Sequence, residues 1–140
     1  MPNTDEAVCP ICARGVPTDS VAEFSTSWLT AGPLAPLPGY ACVVAKRHVR
    51  EPFELPRAEP AAFWEEAMHA AEILAKLFKP VKVNYEIHGN TIPHLRMHLY
   101  PRMPSDFGRP VPPVDAYRRN PDDLARIANA FAADKGQLER

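Results

Sequence analysis

The sequence predicts an α+β fold built on an antiparallel sheet. Stretches rich in β-formers at 21–30, 40–45, 81–87 and 94–100 are set apart by proline and glycine turns. Only two stretches, 60–78 and the one after Asn120, repeat apolar residues at helical spacing. Several strands accompanied by two helices point to an α+β arrangement.

The elements follow in order along the chain. Cys9-Pro-Ile-Cys12 reads as a knuckle-like turn. Residues 21–30 (VAEFSTSWLT) read as one strand, and Gly32 to Gly39 as a proline-rich loop. Tyr40 to Ala45 reads as a short buried strand, with Lys46-Arg47-His48 at its exit. From Pro60, suited to a first helical position, Phe63/Trp64, Ala67/Met68, Ala71, Leu74/Ala75 and Phe78 form an apolar stripe. Trp64, Met68 and Phe78 are expected in the core, and Glu65, Glu66, Glu72 and Lys76 off the stripe. Pro80 ends this helix. Residues 81–87 alternate as a strand, 88–91 turn, and 94–100 form the next strand, closed by Pro101. Asn120 caps a last helix whose apolar face is Leu124, Ile127, Ala128 and Phe131, with Gly136 as its end.

The chain has 140 residues and a net charge of −1, which favours one domain over 1–140 and gives no sign of bulk nucleic-acid or membrane binding. Its 17 prolines cluster at 33–38, 52–60 and 101–113 and read as rigid loops, because apolar runs lie between them. No window is long and apolar enough for a membrane span. The acidic start lacks the basic and apolar regions of a signal peptide, so a cytoplasmic location is expected. There a Cys-x-x-Cys pair is more often a metal site or redox pair than a disulfide.

The chemistry concentrates in Gly89-Asn-Thr-Ile-Pro-His94-Leu-Arg96-Met-His98-Leu-Tyr100-Pro-Arg102. Strand alternation puts His94, Arg96, His98 and Tyr100 on one face, about 7 Å apart in succession, and Leu95, Met97 and Leu99 on the other. Asn90 and Thr91 sit at the entry turn, where amide, hydroxyl and backbone N–H groups can point at an anion. These residue types make a plausible phosphate site. A solvated sheet face is the plainer alternative, and His69 and His88 taken singly read as surface or hydrogen-bonded residues.

The run His-apolar-x-apolar-His-apolar-aromatic-Pro-Arg after Gly-Asn-Thr-x-Pro resembles the motif of the histidine triad (HIT) superfamily, in which x is His. The stretch Pro38-Gly-Tyr-Ala-Cys-Val-Val-Ala-Lys46-Arg47-His48-Val resembles that family's second signature. The likeness covers roughly 8–102, leaving a proline-rich segment and C-terminal helix over 103–140. It implies a HIT-like sheet of about five strands with two helices, commonly paired into a homodimer. It also implies a nucleotide or other anionic phosphate-like ligand, and a central His that attacks the α-phosphorus to give a nucleotidyl-imidazole intermediate.

Carried over by residue, His94 matches the first His, His98 the third, and Asn90 and Thr91 the polar residues that contact phosphate. Arg96 stands at the nucleophile. A guanidinium stays protonated and has no lone pair for phosphorus, but its planar fork suits a phosphate. Relatives often carry Asp or Asn at the end of the first long strand for the ribose hydroxyls. Here that end reads Ala31-Gly32. Cys9, Cys12, His48 and His94 form a tetrahedral zinc inventory, and some relatives bind zinc with the matching set. The alternative is two buried thiols with both His hydrogen-bonded. Cys42 reads as a small core residue.

Two functions are expected. One is a hydrolase or transferase of phosphate esters or nucleotide conjugates without the covalent step at residue 96. In it Arg96 stabilises charge and His98 serves as general base or acid. The other is a non-catalytic nucleotide- or anion-binding module, or a HIT scaffold recruited to a different anionic substrate.

Overall fold

The computed structural model describes residues 6–134. A short helix α1 (Pro10–Arg14) precedes the strands β1 (Ser20–Glu23), β2 (Ser27–Thr30), β3 (Leu34–Ala35) and β4 (Ala41–Ala45). Helix α2 (Glu59–Phe78) follows, then β5 (Lys82–Ile87), β6 (Arg96–Arg102), β7 (Tyr117–Arg118) and α3 (Pro121–Ala133). Five strands form an antiparallel sheet in the order β1-β2-β4-β6-β5, and β3 pairs with β7 in a separate ribbon. The expected α+β sheet is present, with the short α1 as a third α-helix.

The stretch read as one strand over 21–30 is a hairpin. Phe24 N–H donates to the Ser27 carbonyl at 2.7 Å and turns the chain. The turn is held by Glu66, whose carboxylate accepts from Thr26 N–H at 3.1 Å and from the Thr26 and Ser27 hydroxyls, each at 2.7 Å. Glu66 is therefore buried rather than off the apolar stripe. Periodicity cannot show this, because the donors belong to another element. Trp64, expected in the core, is instead 55% exposed. It lies beside Phe63 on the stripe, and Phe63 fills the core.

Both faces of the sheet are covered. Leu29, Val43, Met97 and Leu99, with Leu95 just before β6, pack under α2 and α3. The alternate residues Tyr40, Cys42, Val44 and Tyr100 pack on the other face with Ala35 and Leu37. Strand β6 begins two residues later than expected and runs through Pro101, which pairs with Val83 on β5 beyond the last β4 partner, Ala41. Helix α3 begins at the expected Asn120 cap, whose side chain accepts from Asp122 N–H at 2.9 Å. It ends at Ala133, before Gly136, which lies outside the described residues. Along it Ile127 and Phe131 are buried while Ala128 is exposed.

Two buried arginines fasten the proline-rich segment to this body. Arg102 donates to Asn84 Oδ1 at 2.9 Å, to the Asp106 side chain and carbonyl, and to the Arg109 carbonyl. Arg119 donates to the carbonyls of Gly32, Pro38 and Tyr40. Buried guanidinium groups are tolerated where their donors find acceptors; those of Arg102 do, whereas Arg119 uses Nε and Nη1 and leaves its buried Nη2 without one.

Candidate functional site

The sheet register builds the site. Trp28, Val44 and Arg96 lie in one row across β2, β4 and β6, and Thr30, Cys42, His98 and Glu86 in the next. Arg96 and His98 thus share the face opposite the helices. Arg96 is half-buried, and its Nη1 donates to the carbonyls of Ile92 at 2.8 Å and His94 at 2.9 Å. These bonds fasten the 88–95 segment, where Gly89 turns the chain at φ +76°, a left-handed value that favours glycine. The remaining Arg96 donors make no hydrogen bond among the described residues. Asn90 and Thr91 are exposed on the same segment and are not drawn into bonds with Arg96 or His98.

His98 is buried, and its Nδ1 shares a hydrogen bond of 2.7 Å with the Tyr40 hydroxyl. The Tyr40 and Tyr100 rings stack on it, each at 5.9 Å between centroids. Burial, then the charges of Arg96 and His88, bring its pKa down to about 4. The imidazole is therefore neutral at neutral pH, with Nε2 as the nitrogen left for a ligand. The Tyr40 phenol is held above its usual range chiefly by burial, so it stays protonated. On the outer side His88 hydrogen-bonds Glu86 at 2.8 Å. Sequence reasoning placed Tyr40 only in an apolar run. Its spacing of two from Cys42, the partner of His98, is the signal that puts it on this face.

His94 is drawn away from that row into a second cluster. The donor atoms of Cys9, Cys12, His48 and His94 all lie within 4.8 Å of one another. Cys12 Sγ is 3.3 Å from His48 Nδ1 and 3.5 Å from His94 Nδ1, Cys9 Sγ is 3.5 Å from His94 Nδ1, and the two Nδ1 atoms are 3.3 Å apart. Ligands about 2.0–2.3 Å from a central ion have tetrahedral edges of about 3.3–3.8 Å, so these separations fit one cation. The His94 Nε2–H donates to the Ala45 carbonyl at 2.7 Å. This fixes the tautomer that leaves Nδ1 as the donor atom, a common outer partner of a ligating imidazole. Burial, then the Cys9 thiol, pushes the Cys12 thiol up to about 12, a penalty that a divalent cation would reverse. These four residues could hold a metal ion. The basic pair beside them is neutralised, Lys46 by Glu23 and Arg47 by Glu59. Cys42 is buried in the core as expected.

An antiparallel five-stranded sheet, two helices on one face and a motif strand with Arg between two His define a histidine-triad-like protein. The HIT domain family matches residues 16–105, and the chain belongs to that family. Among solved structures, a histidine triad protein from Marinobacter aquaeolei is 22% identical with a TM-score of 0.72, over 85% of this chain and 89% of that one. A zinc-bound histidine triad family protein from Mycobacterium smegmatis is 18% identical with a TM-score of 0.69, over 92% and 96%. A hypothetical histidine triad nucleotide-binding protein from Sulfolobus tokodaii is 16% identical with a TM-score of 0.68, over 94% and 93%. At these identities the likeness is one of fold. Comparison with curated proteins gives no match. Among the described residues no helix is long and apolar enough to cross a membrane.

Proposed function

We propose that the chain binds a nucleotide or related phosphate ester on the sheet face carrying Arg96 and His98, and hydrolyses it or transfers its phosphoryl-bearing group without a covalent intermediate at residue 96. The observation that carries this reading is a guanidinium with unused donors two residues along the strand from a neutral imidazole, on one face. The guanidinium would take the phosphate oxygens, and His98 Nε2 would accept a proton from an attacking water. The description of the Sulfolobus tokodaii relative as a hypothetical nucleotide-binding protein agrees with this ligand class.

A non-catalytic binding module is the second reading, favoured by the low pKa of His98. A base titrating near 4 takes a proton weakly at neutral pH, whereas it still accepts a hydrogen bond.

Arg96→Ala should weaken nucleoside monophosphate binding by about 1.5–3 kcal/mol and leave nucleoside binding little changed, as calorimetry would show. Equal affinity of the parent for nucleoside and nucleotide would count against the site. Turnover of a nucleotide panel separates enzyme from binding module. Intact mass after quenching should show no nucleotidyl adduct on the parent. An Arg96→His variant, with an imidazole that can attack phosphorus, should show one.

Zinc is the ion we propose for the Cys9, Cys12, His48 and His94 cluster. Two thiolates and two imidazoles in a closed tetrahedron suit structural zinc, which would cross-link three chain segments and leave no open position for substrate. The zinc-bound relative from Mycobacterium smegmatis agrees with this choice. The family's pairing of two copies would use the outer strand β5, where Tyr85 and Ile87, with Val81 just before the strand, are exposed beside an edge unpaired among the described residues. A solution mass twice the 15.6 kDa of one chain is expected in light scattering, and a mass of 15.6 kDa would count against it.

A further inference from the structure

Glu86 and His88 belong to the same face as Arg96 and His98, and the reaction above uses neither. Glu86 is the β5 partner of His98, and cross-strand partners share a face. His88 follows two residues later, so alternation keeps it on that face. The register, Ile87 against Met97, carried one residue further sets His88 opposite Arg96. Arg96 and His98 on β6 thus form a square with Glu86 on β5 and His88 at its exit.

His88 is exposed, yet it is held there. Its Nε2 meets Glu86 Oε1 at 2.8 Å, and its ring lies 6.2 Å from that of His98 between centroids. An ionised carboxylate only accepts, so Nε2 carries the hydrogen in that bond and Nδ1 is the nitrogen that exchanges a proton. Nδ1 makes no hydrogen bond among the described residues.

The two imidazoles have opposite surroundings. His98 is buried beside Arg96, conditions that drive a proton off it. His88 stands in water with a carboxylate bonded to it, conditions that accommodate the charged form of an imidazole. Titratable groups set apart in this way divide the roles of acid and base. Hydrolysis of a phosphate ester uses both, a base for the entering water and an acid for the departing oxygen. Two rings on neighbouring chain segments, with a guanidinium beside both, place a donor and an acceptor about one phosphoryl group apart.

We propose that His88, oriented by Glu86, is the general acid of this site and protonates the leaving oxygen of a phosphate ester held by Arg96. The assignment rests on the phosphate-ester reading above. Water attacks phosphorus and gives its proton to His98 Nε2. The bond from phosphorus to the ester oxygen breaks, that oxygen takes the Nδ1 proton of His88, and the alcohol leaves. His98 then releases its proton to solvent and His88 regains one, which closes the cycle. Glu86 is a positioning residue, since it acts through His88.

The test compares two leaving groups on the intact protein. Each of the four ribonucleoside 5′-monophosphates is supplied as its p-nitrophenyl diester and as its methyl diester, and release of the monophosphate is followed. Nitrophenolate leaves without a proton, whereas methoxide needs one. The wild type should hydrolyse both diesters of at least one nucleotide. His88→Ala should lower kcat/KM for the methyl diester about 100-fold or more and change the nitrophenyl diester by less than about threefold. Glu86→Gln should fall in the same direction by about tenfold, again on the methyl diester alone. Added imidazole should restore part of the methyl diester rate to His88→Ala, because the vacated position is open to solvent.

A loss in His88→Ala that is equal for both leaving groups overturns the proposal, and so does no loss for either. Wild-type protein that hydrolyses only nitrophenyl diesters has no general acid, which overturns the proposal and leaves the phosphate-ester reading standing. If the wild type hydrolyses no member of the panel, the catalytic reading falls and this assignment falls with it.

Discussion

Stripping zinc from the metal-loaded protein should lower its melting temperature by about 10 °C, and Cys12→Ser should do the same without a chelator. The four donors come from three separate stretches: the N-terminal segment, the exit of β4 and the approach to β6. Helix α1 has five residues, none buried, and a helix that short does not persist by itself in water. Its apolar anchoring is slight, through Cys9 at its cap and a partly buried Ile11. A cation bridging Cys9 and Cys12 to His48 and His94 would then be what holds it. Structural zinc supplies about 10–16 kcal/mol to isolated zinc-finger peptides. In a sheet that forms largely without it, a contribution on the order of 3–5 kcal/mol is expected. That corresponds to a shift of about 10 °C for a chain of this size.

Release should read as about one zinc per chain in a colorimetric chelator assay, with faster amide exchange over 6–15 and little change in β2, β4 and β6. A metal-free protein with an unchanged melting temperature and readily titrated thiols would remove the site from the account of stability.

Much of this site is legible in the sequence because it depends on residue type and periodicity. Alternation along 94–100 separates Leu95, Met97 and Leu99 from Arg96 and His98, and the sheet keeps that division. Cys-x-x-Cys with two distant His carries its geometry in its chemistry, so the four donors could be named before their separations were known. Contacts between elements are not written in either pattern. Tyr40 meets His98 because β4 and β6 are neighbours, and Asp19 fills the space at Gly32 because β1 folds back on β2. The single strand expected over 21–30 fails for the same reason. Its β-formers are real, but the turn at Phe24 to Ser27 is specified by a carboxylate forty residues away. Trp64 shows the opposite limit. A stripe two residues wide at one turn says which side of the helix is apolar, and it does not say which of the pair the core will accept.

Glu66→Ala should cost about 3–4 kcal/mol, more than any single surface change. Glu66 is 3% exposed and Ser27 fully buried, so little water reaches the bonds between them. Removing the carboxylate strands the Thr26 N–H and two hydroxyls, each worth about 1–3 kcal/mol when buried and unsatisfied, with hydroxyl rotation and an entering water recovering part. Glu66→Gln retains the volume but offers one acceptor oxygen for three donors, so it should fall between wild type and alanine.

The effect should extend beyond the hairpin. The Thr26 carbonyl accepts Lys46 N–H at 2.9 Å, two residues before His48. A loosened turn therefore loosens the β4 exit that presents a metal donor, and Glu66→Ala should also weaken zinc retention in competition with a chelator. Urea denaturation reads the first effect and chelator competition the second. A loss below about 1 kcal/mol would mean that water replaces the carboxylate and that the hairpin stands without it.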